Sequence, residues 1–309
     1  MNIEYANTIP MPAILAKLGL HAVQEQSPLY IYPSPFHKDK RLTLHINTEL
    51  NIWFDSETGI SGNPVDFLKA YLKLDDLPCS HVDAIDWLKA NIGYPSMLEG
   101  IDLPDAPDDI ILFKYKAPVT SAGLIRYLEQ HYISLKLARK HFVEIGYAKG
   151  KGRKEVYALG MKTICEGYAM QSQHINGFIG IPGITVIKPN AQTKPGHIRN
   201  ADKPKLIHVF KDSFDYLTAL RINGKLFADS EVIILHDYRL LDQSANYIRS
   251  FGPAFICTWF DNGEIGKQAT KNYAFMCSTQ EHVKHFPQNG RYISAYDVNA
   301  HFISIAEGK

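Results

Sequence analysis

In its C-terminal third the chain three times runs an apolar strand into an acid-bearing turn and on into a helix, a repeat that restricts the fold more than any other feature. The first unit is Leu206-Ile-His-Val-Phe-Lys-Asp-Ser-Phe-Asp215, with helix-compatible residues 216–220 behind it. The second is Glu231-Val-Ile-Ile-Leu235 ending in His236-Asp237, and the third is Ala254-Phe-Ile-Cys-Thr-Trp-Phe260 ending in Asp261-Asn262-Gly263. Strand, turn and helix in alternation predict a parallel sheet whose right-handed crossovers leave all the strand ends on one edge. Ligands of such sheets bind at that carboxyl edge. Asp212, Asp215, Asp237 and Asp261 are therefore expected to converge there, and clustered carboxylates suit magnesium.

These motifs resemble the Toprim domain of bacterial primases, topoisomerases and related nucleases. The family pattern is a strand ending in Glu-Gly-x-x-Asp, a middle strand, and a strand ending in Asp-x-Asp with a nearby Gly. This chain reads Lys211-Asp212-Ser213-Phe214-Asp215 and Asp261-Asn262-Gly263-Glu264-Ile265-Gly266. The family's acid/base Glu position holds Lys211, and the second Asp of the pair is Gly263. The resemblance thus implies a Toprim-like frame with half its acids gone. An ammonium beside Asp215 and Asp261 would offset their repulsion without a metal, or meet a phosphate directly. Alternatively Lys211 points away and the strand ends are solvated.

With 309 residues the chain has enough length for two or three units. No signal pattern, membrane-spanning apolar run or lipidation motif is visible, so the expected location is cytoplasmic. Cys79, Cys165, Cys257 and Cys277 are scattered without CxxC spacing, which predicts neither a disulfide framework nor a zinc cluster. The net charge of +1 conceals an asymmetry. Residues 1–110 hold 16 acids against 7 Lys/Arg, leaving 26 Lys/Arg against 16 acids for 111–309, balances of −9 and +10. A basic body with an acidic N-terminal unit fits either a nucleic-acid partner or ordinary solvated surfaces.

The N-terminal segment has a short helix over 9–19, strand-like Leu42-Thr-Leu-His-Ile46 and Ile52-Trp-Phe54 in a hairpin, and helices opened by Asn63-Pro64 and by Ser80. Ser34-Pro35-Phe36-His37, Trp53-Phe54-Asp55-Ser56 and Ser61-Gly62-Asn63-Pro64-Val65-Asp66-Phe67 together resemble the zinc-binding domain at the amino end of bacterial-type primases. Of the four ligand positions that the resemblance implies, only His37 remains; the others are Ser34, Trp53 and Ser56. Zinc prefers a closed set of four N/S ligands. A metal-free domain held by Phe36, Trp53 and Phe54 is expected instead.

Residues 95–109 are rich in Pro and Asp and read as a linker. Beyond them, Ser121 and Ser134 are candidate helix caps. The stretch Leu124-Ile-Arg-Tyr-Leu-Glu-Gln130, with Ile133 and Glu166-Gly-Tyr168, resembles the region before the Toprim domain in primase-like proteins of plasmids and conjugative elements. Residues 136–154 carry seven Lys/Arg and one acid, ending in Lys149-Gly-Lys151-Gly-Arg153-Lys154. Glycines admit a phosphate to the backbone while the cations neutralise it, so Lys149, Lys151, Arg153 and Lys154, followed by Lys188, Lys194 and Arg199, are candidate nucleic-acid contacts. A solvated hairpin tip is the other reading. Tyr296-Asp-Val-Asn-Ala-His301 resembles the Asp-x-Asn helix start that closes primase-type Toprim regions, although Asp297 also suits a simple cap.

The expected fold is therefore α/β and α+β multidomain. Residues 1–95 form a zinc-less hairpin-and-helix domain, 96–118 an acidic linker, 119–204 a basic α+β domain, and 205–309 a Toprim-like α/β domain with a parallel sheet. The expected function is that of a primase-like pseudoenzyme of plasmid or conjugative-element replication. It binds single-stranded DNA or RNA, or replication and mobilisation proteins, with no membrane, metal or cofactor. The alternatives are an active primase using Asp212, Asp215 and Asp261 with Mg²⁺, and a protein-interaction scaffold.

Overall fold

The computed structural model describes residues 1–105, 111–149, 154–189 and 205–308. The chain divides into two units, residues 1–95 with 279–281, and residues 96–278 with 282–308.

The first unit begins with two short helices, α1 (Ile3–Ala6) and α2 (Met11–Lys17). The strands β1 (Gln24–Gln26), β2 (Leu29–Tyr32), β3 (Leu44–Asn47), β4 (Ile52–Asp55) and β5 (Ser61–Gly62) follow, and then helices α3 (Pro64–Leu74) and α4 (His81–Asn91). The sheet is antiparallel with strands in chain order. Both longer helices open with a reciprocal capping box, Asn63 with Asp66 and Ser80 with Asp83. Alternation along β4 sends Trp53 and Asp55 inward and Ile52 and Phe54 outward. Phe36 stacks on Trp53 at 5.3 Å, and the Phe67 ring meets both rings edge-on. Phe54, expected to hold this core, instead lies on the open face, 44% exposed. Two adjacent strand residues cannot share a face, and the larger Trp53 takes the inner one.

The second unit contains two sheets. Strands β6 (Ile111–Ala117), β7 (Val143–Lys149), β8 (Val156–Lys162), β9 (Tyr168–Ser172) and β10 (Ile175–Ile179) form an antiparallel sheet with β6 at its edge. Helices α5 (Ala122–Gln130) and α6 (Leu135–His141) lie between β6 and β7 in the chain. The chain continues through β11 (Thr185–Ile187), β12 (Lys205–Phe210), α7 (Ser213–Ile222), β13 (Glu231–Ile234), α8 (Leu241–Arg249), β14 (Ala254–Trp259), α9 (Glu264–Ser278), β15 (Val283–Pro287) and α10 (Val298–Ala306). Its sheet has the order β11-β13-β12-β14-β15, with β11 antiparallel and the other four parallel. The three strand-turn-helix repeats thus build a parallel sheet. Its central strands are apolar because both of their faces are covered: every residue of β13 is buried.

Three boundaries differ from the sequence expectation. Residues 96–118 are not a free linker: Met97, Leu98, Ile101 and Leu103 pack on the core of the parallel sheet, and β6 is a paired strand. Apolar side chains spaced among the prolines supply that packing. The strand β11, from the stretch assigned to the basic domain, is an edge of the parallel sheet. Finally, α5 and α6 share one continuous core with that sheet, in which Leu124, Leu128, Phe142 and Leu159 join Phe210, Phe214, Leu217 and Trp259. The segments 119–204 and 205–309 therefore share this core, and the antiparallel sheet adds a smaller one of its own around Ile145, Tyr147, Ala158 and Met170.

Candidate functional site

The parallel strands β12, β13 and β14 end together, in register, at Phe210, Ile234 and Trp259, and Lys211, His236 and Asp261 follow within two residues at that edge. The His236 N–H donates to the Lys211 carbonyl at 2.8 Å. His236 adopts the left-handed conformation (φ 65°), uncommon for a non-glycine residue. Its buried ring hydrogen-bonds Thr185 Oγ1 at 2.8 Å, and burial lowers its pKa to about 4, so it is a neutral imidazole at pH 7.

Lys211 is the centre of the edge. Burial on its own would lower its pKa, but Asp212, Asp215 and Asp261, together with the Tyr296 phenol, outweigh burial and raise it, so the ammonium persists. Asp212 lies 4.0 Å from Lys211 Nζ, caps α7 by accepting from Phe214 N at 2.7 Å, and faces Gln171 Nε2 at 3.4 Å. Asp215 is buried and accepts from Asn299 N at 2.9 Å. Its pKa is raised well above the ordinary value by burial, then by Asp297 and Asp212. Asp297 accepts from Ala300 N at 2.7 Å, and its pKa is raised by burial, with Asp212 and Asp261 adding to the effect. Asp261 accepts from Tyr238 Oη at 2.7 Å and from Gly263 N at 3.0 Å, and the Tyr296 hydroxyl also bonds to it.

Of the expected acids, Asp212, Asp215 and Asp261 come together around Lys211. Asp237 does not join them. It caps its own turn through Arg239 N at 2.8 Å and pairs with the Arg239 guanidinium at 2.6 Å, so its charge is already matched. Asp297, Tyr238 and Tyr296 were not expected at the site. Asp297 was legible as a helix cap, whereas nothing in the spacing of the tyrosines places their hydroxyls at Asp261.

This set does not fit a magnesium ion. The Lys211 ammonium, attracted by Asp212, Asp215 and Asp261, already supplies a cation there, Asp261 accepts from two phenols and an amide, and Asp215 and Asp297 accept from helix amides. Among the described residues no three His, Cys, Asp or Glu side chains are arranged to hold a metal ion. Nor is Lys211 a free phosphate contact, because the carboxylates of Asp212 and Asp261 already attract its single charge.

The positions that resemble zinc ligands hold a different structure. Asp55 is fully buried and collects hydrogen bonds from Thr43 Oγ1 (3.0 Å), Thr58 N (2.9 Å), Thr58 Oγ1 (3.1 Å) and Glu57 N (3.1 Å), with His37 Nε2 at 3.3 Å. Burial would raise its pKa, but these bonds and one from Ser34 hold it well below the usual carboxylate range. Trp53 is committed to the core, donating to Asn63 O at 3.2 Å, and Ser56 Oγ faces Thr43 O at 3.4 Å. One carboxylate ringed by donors is no ligand set for zinc.

Among the candidate nucleic-acid contacts, Lys154 and Lys188 are exposed. Lys149 ends β7, its side chain lying outside the description, and Lys151, Arg153, Lys194 and Arg199 fall outside the described residues.

Residues 114–180 match a family described as a domain of unknown function (DUF8464). No curated protein matches the chain. Among solved structures, the chain is similar to the zinc binding and RNA polymerase domains of the Aquifex aeolicus primase. The identity is 14%, covering 93% of this chain and 79% of that one, with a TM-score of 0.33. It is also similar to the primase fragment of the bacteriophage T7 primase-helicase protein, at 13% identity, covering 90% of this chain and 95% of that one, with a TM-score of 0.38.

Proposed function

We propose that this chain is a primase-like nucleic-acid-binding protein whose Toprim-type sheet edge has lost its metal and its catalysis, and which serves plasmid or conjugative-element replication in the cytoplasm. The observation that carries the reading is the Lys211 ammonium among Asp212, Asp215 and Asp261. Where nucleotidyl transfer needs a divalent ion to bridge phosphates, the protein supplies its own fixed cation, which carries one charge and offers no open coordination position. Binding is left to the exposed lysines of the basic body, with Asp55 in place of zinc holding the N-terminal unit.

The test is a Mn²⁺ titration of wild type and of Lys211→Glu/Gly263→Asp, followed by calorimetry and thermal melts. Wild type is expected to bind Mn²⁺ weakly or not at all. A Cβ at Gly263 would stand 3.0 Å from Asp261 Oδ1 and 3.2 Å from the exposed Tyr296 ring, so the new carboxylate points into the cluster once Tyr296 swings away. The double variant should then gain a divalent site, melt lower than wild type without metal, and recover stability with Mn²⁺. Tight Mn²⁺ binding by wild type would favour an active Mg²⁺-dependent primase. A wild type that binds no single strand at any salt would favour a protein-interaction scaffold.

A further inference from the structure

Edge strand β6 carries the alternating run Phe113-Lys114-Tyr115-Lys116, all four side chains exposed. A bulge between Phe113 and Tyr115 breaks the alternation, so that Phe113 pairs with Tyr147 and Tyr115 pairs with Gly146. Neighbouring residues of β7 point to opposite faces, so the bulge separates the two aromatic residues and turns Tyr115 to the face it shares with Gly146 and with Tyr157 of β8. Across that row the rings of Tyr115 and Tyr157 stand 6.3 Å apart, tilted by 55°, and the residues remain 37% and 40% exposed. Gly146 makes the arrangement possible: a Cβ there would lie 2.6 Å from Cε1 of Tyr115, which occupies that space. Lys114, at the bulge, and Lys154, just ahead of β8, are exposed cations close to the row in sequence.

We infer that Tyr115 and Tyr157 form a stacking platform for unpaired bases of a single nucleic-acid strand, with Lys114 and Lys154 neutralising its phosphates. The inference rests on the nucleic-acid reading above and assigns a role within the matched residues 114–180. Exposed aromatic rings cleared by a glycine and flanked by lysines are the chemistry of a sequence-tolerant single-strand groove. Glu155, which acts electrostatically on Tyr115, opposes the strand and limits its affinity.

The test uses the full chain, a fluorescein-labelled oligothymidine strand, and an abasic strand with the same number of phosphates, read by anisotropy over a salt series. Wild type should prefer the base-bearing strand. Tyr115→Ala and Tyr157→Ala should each weaken it roughly 5- to 150-fold and erase the preference while leaving the salt slope unchanged. Tyr115→Phe and Tyr157→Phe keep a stacking ring and should keep the affinity; Gly146→Ala should resemble the loss of Tyr115. Lys114→Ala should lower the log-log salt slope by about one. If wild type binds the strand but shows no base preference, or the alanine variants bind like wild type, the platform is wrong and the nucleic-acid reading stands. If wild type binds neither strand, both fall.

Discussion

At the scale of single residues, two charged groups organise their surroundings, the fully buried Asp55 and the half-buried Lys211. Asp55 gathers the donors of the N-terminal unit into one knot, and Lys211 balances the acids of the sheet edge. Asp55→Asn halves the acceptor capacity of the knot and leaves buried donors facing an amide N–H. Urea unfolding should therefore show a loss of roughly 2–4 kcal/mol. Because the folded pKa of Asp55 is depressed, the stability it supplies is present above its ordinary pKa of about 4 and is lost as pH falls below it. The sequence revealed which ligand positions were vacant of cysteine, but not what replaces them. Asp55 is adjacent to a ligand position and carries no motif, and its importance arises from burial among Ser34, Thr43 and Thr58, which are distant from one another in sequence.

At the scale of elements, helix starts were the most legible feature because capping is local chemistry. Asn63, Ser80, Ser134 and Asp297 each accept from a backbone N–H in the first turn of their helix. Ser121 begins α5 without such a bond because its hydroxyl donates to Glu144 at 2.6 Å, a long-range partner that no local pattern announces. The edge strands β6 and β11 were missed for the same reason: a bulge and a three-residue length erase the period-two signal. Two glycines should separate local from tertiary demands. A Cβ at Gly266 would stand 2.2 Å from the Asp261 carbonyl, so Gly266→Ala should cost roughly 1–3 kcal/mol in thermal or urea unfolding. Gly123 in α5 has open space around its Cβ position, and Gly123→Ala should be neutral or stabilise by up to about 1 kcal/mol in the same assay.

At the scale of the whole molecule, the proposed binding is assigned to the second unit because residues 111–309 carry 26 Lys/Arg against 16 acids. A protein comprising residues 1–95 should bind single strands far more weakly than the full chain at the same salt, as measured by anisotropy. Acid stability has two opposing sources. Burial lowers His208 and His236 to about 4, so the protons they take up on unfolding make stability rise with pH between about 4 and 6.5. Asp215 and Asp297 are raised instead, holding protons that the unfolded chain releases, so their contribution falls as pH rises from about 4. Asp215→Asn removes the Asp215 share of the falling part, and its melting temperature should climb more steeply than that of wild type between pH 4.5 and 6.5. The two carboxyls also tie this chemistry to the end of the chain, since the amides they hold, Asn299 N and Ala300 N, open α10. A cation drawn to Asp215 and Asp297 competes with those amides, so occupancy of the edge and seating of the last helix are reciprocally linked. In the Lys211→Glu/Gly263→Asp protein, Mn²⁺ should therefore speed hydrogen exchange at Asn299 and Ala300. Truncation before Val298 should in turn tighten Mn²⁺ binding, which makes the C-terminal helix a competitive occupant of the site.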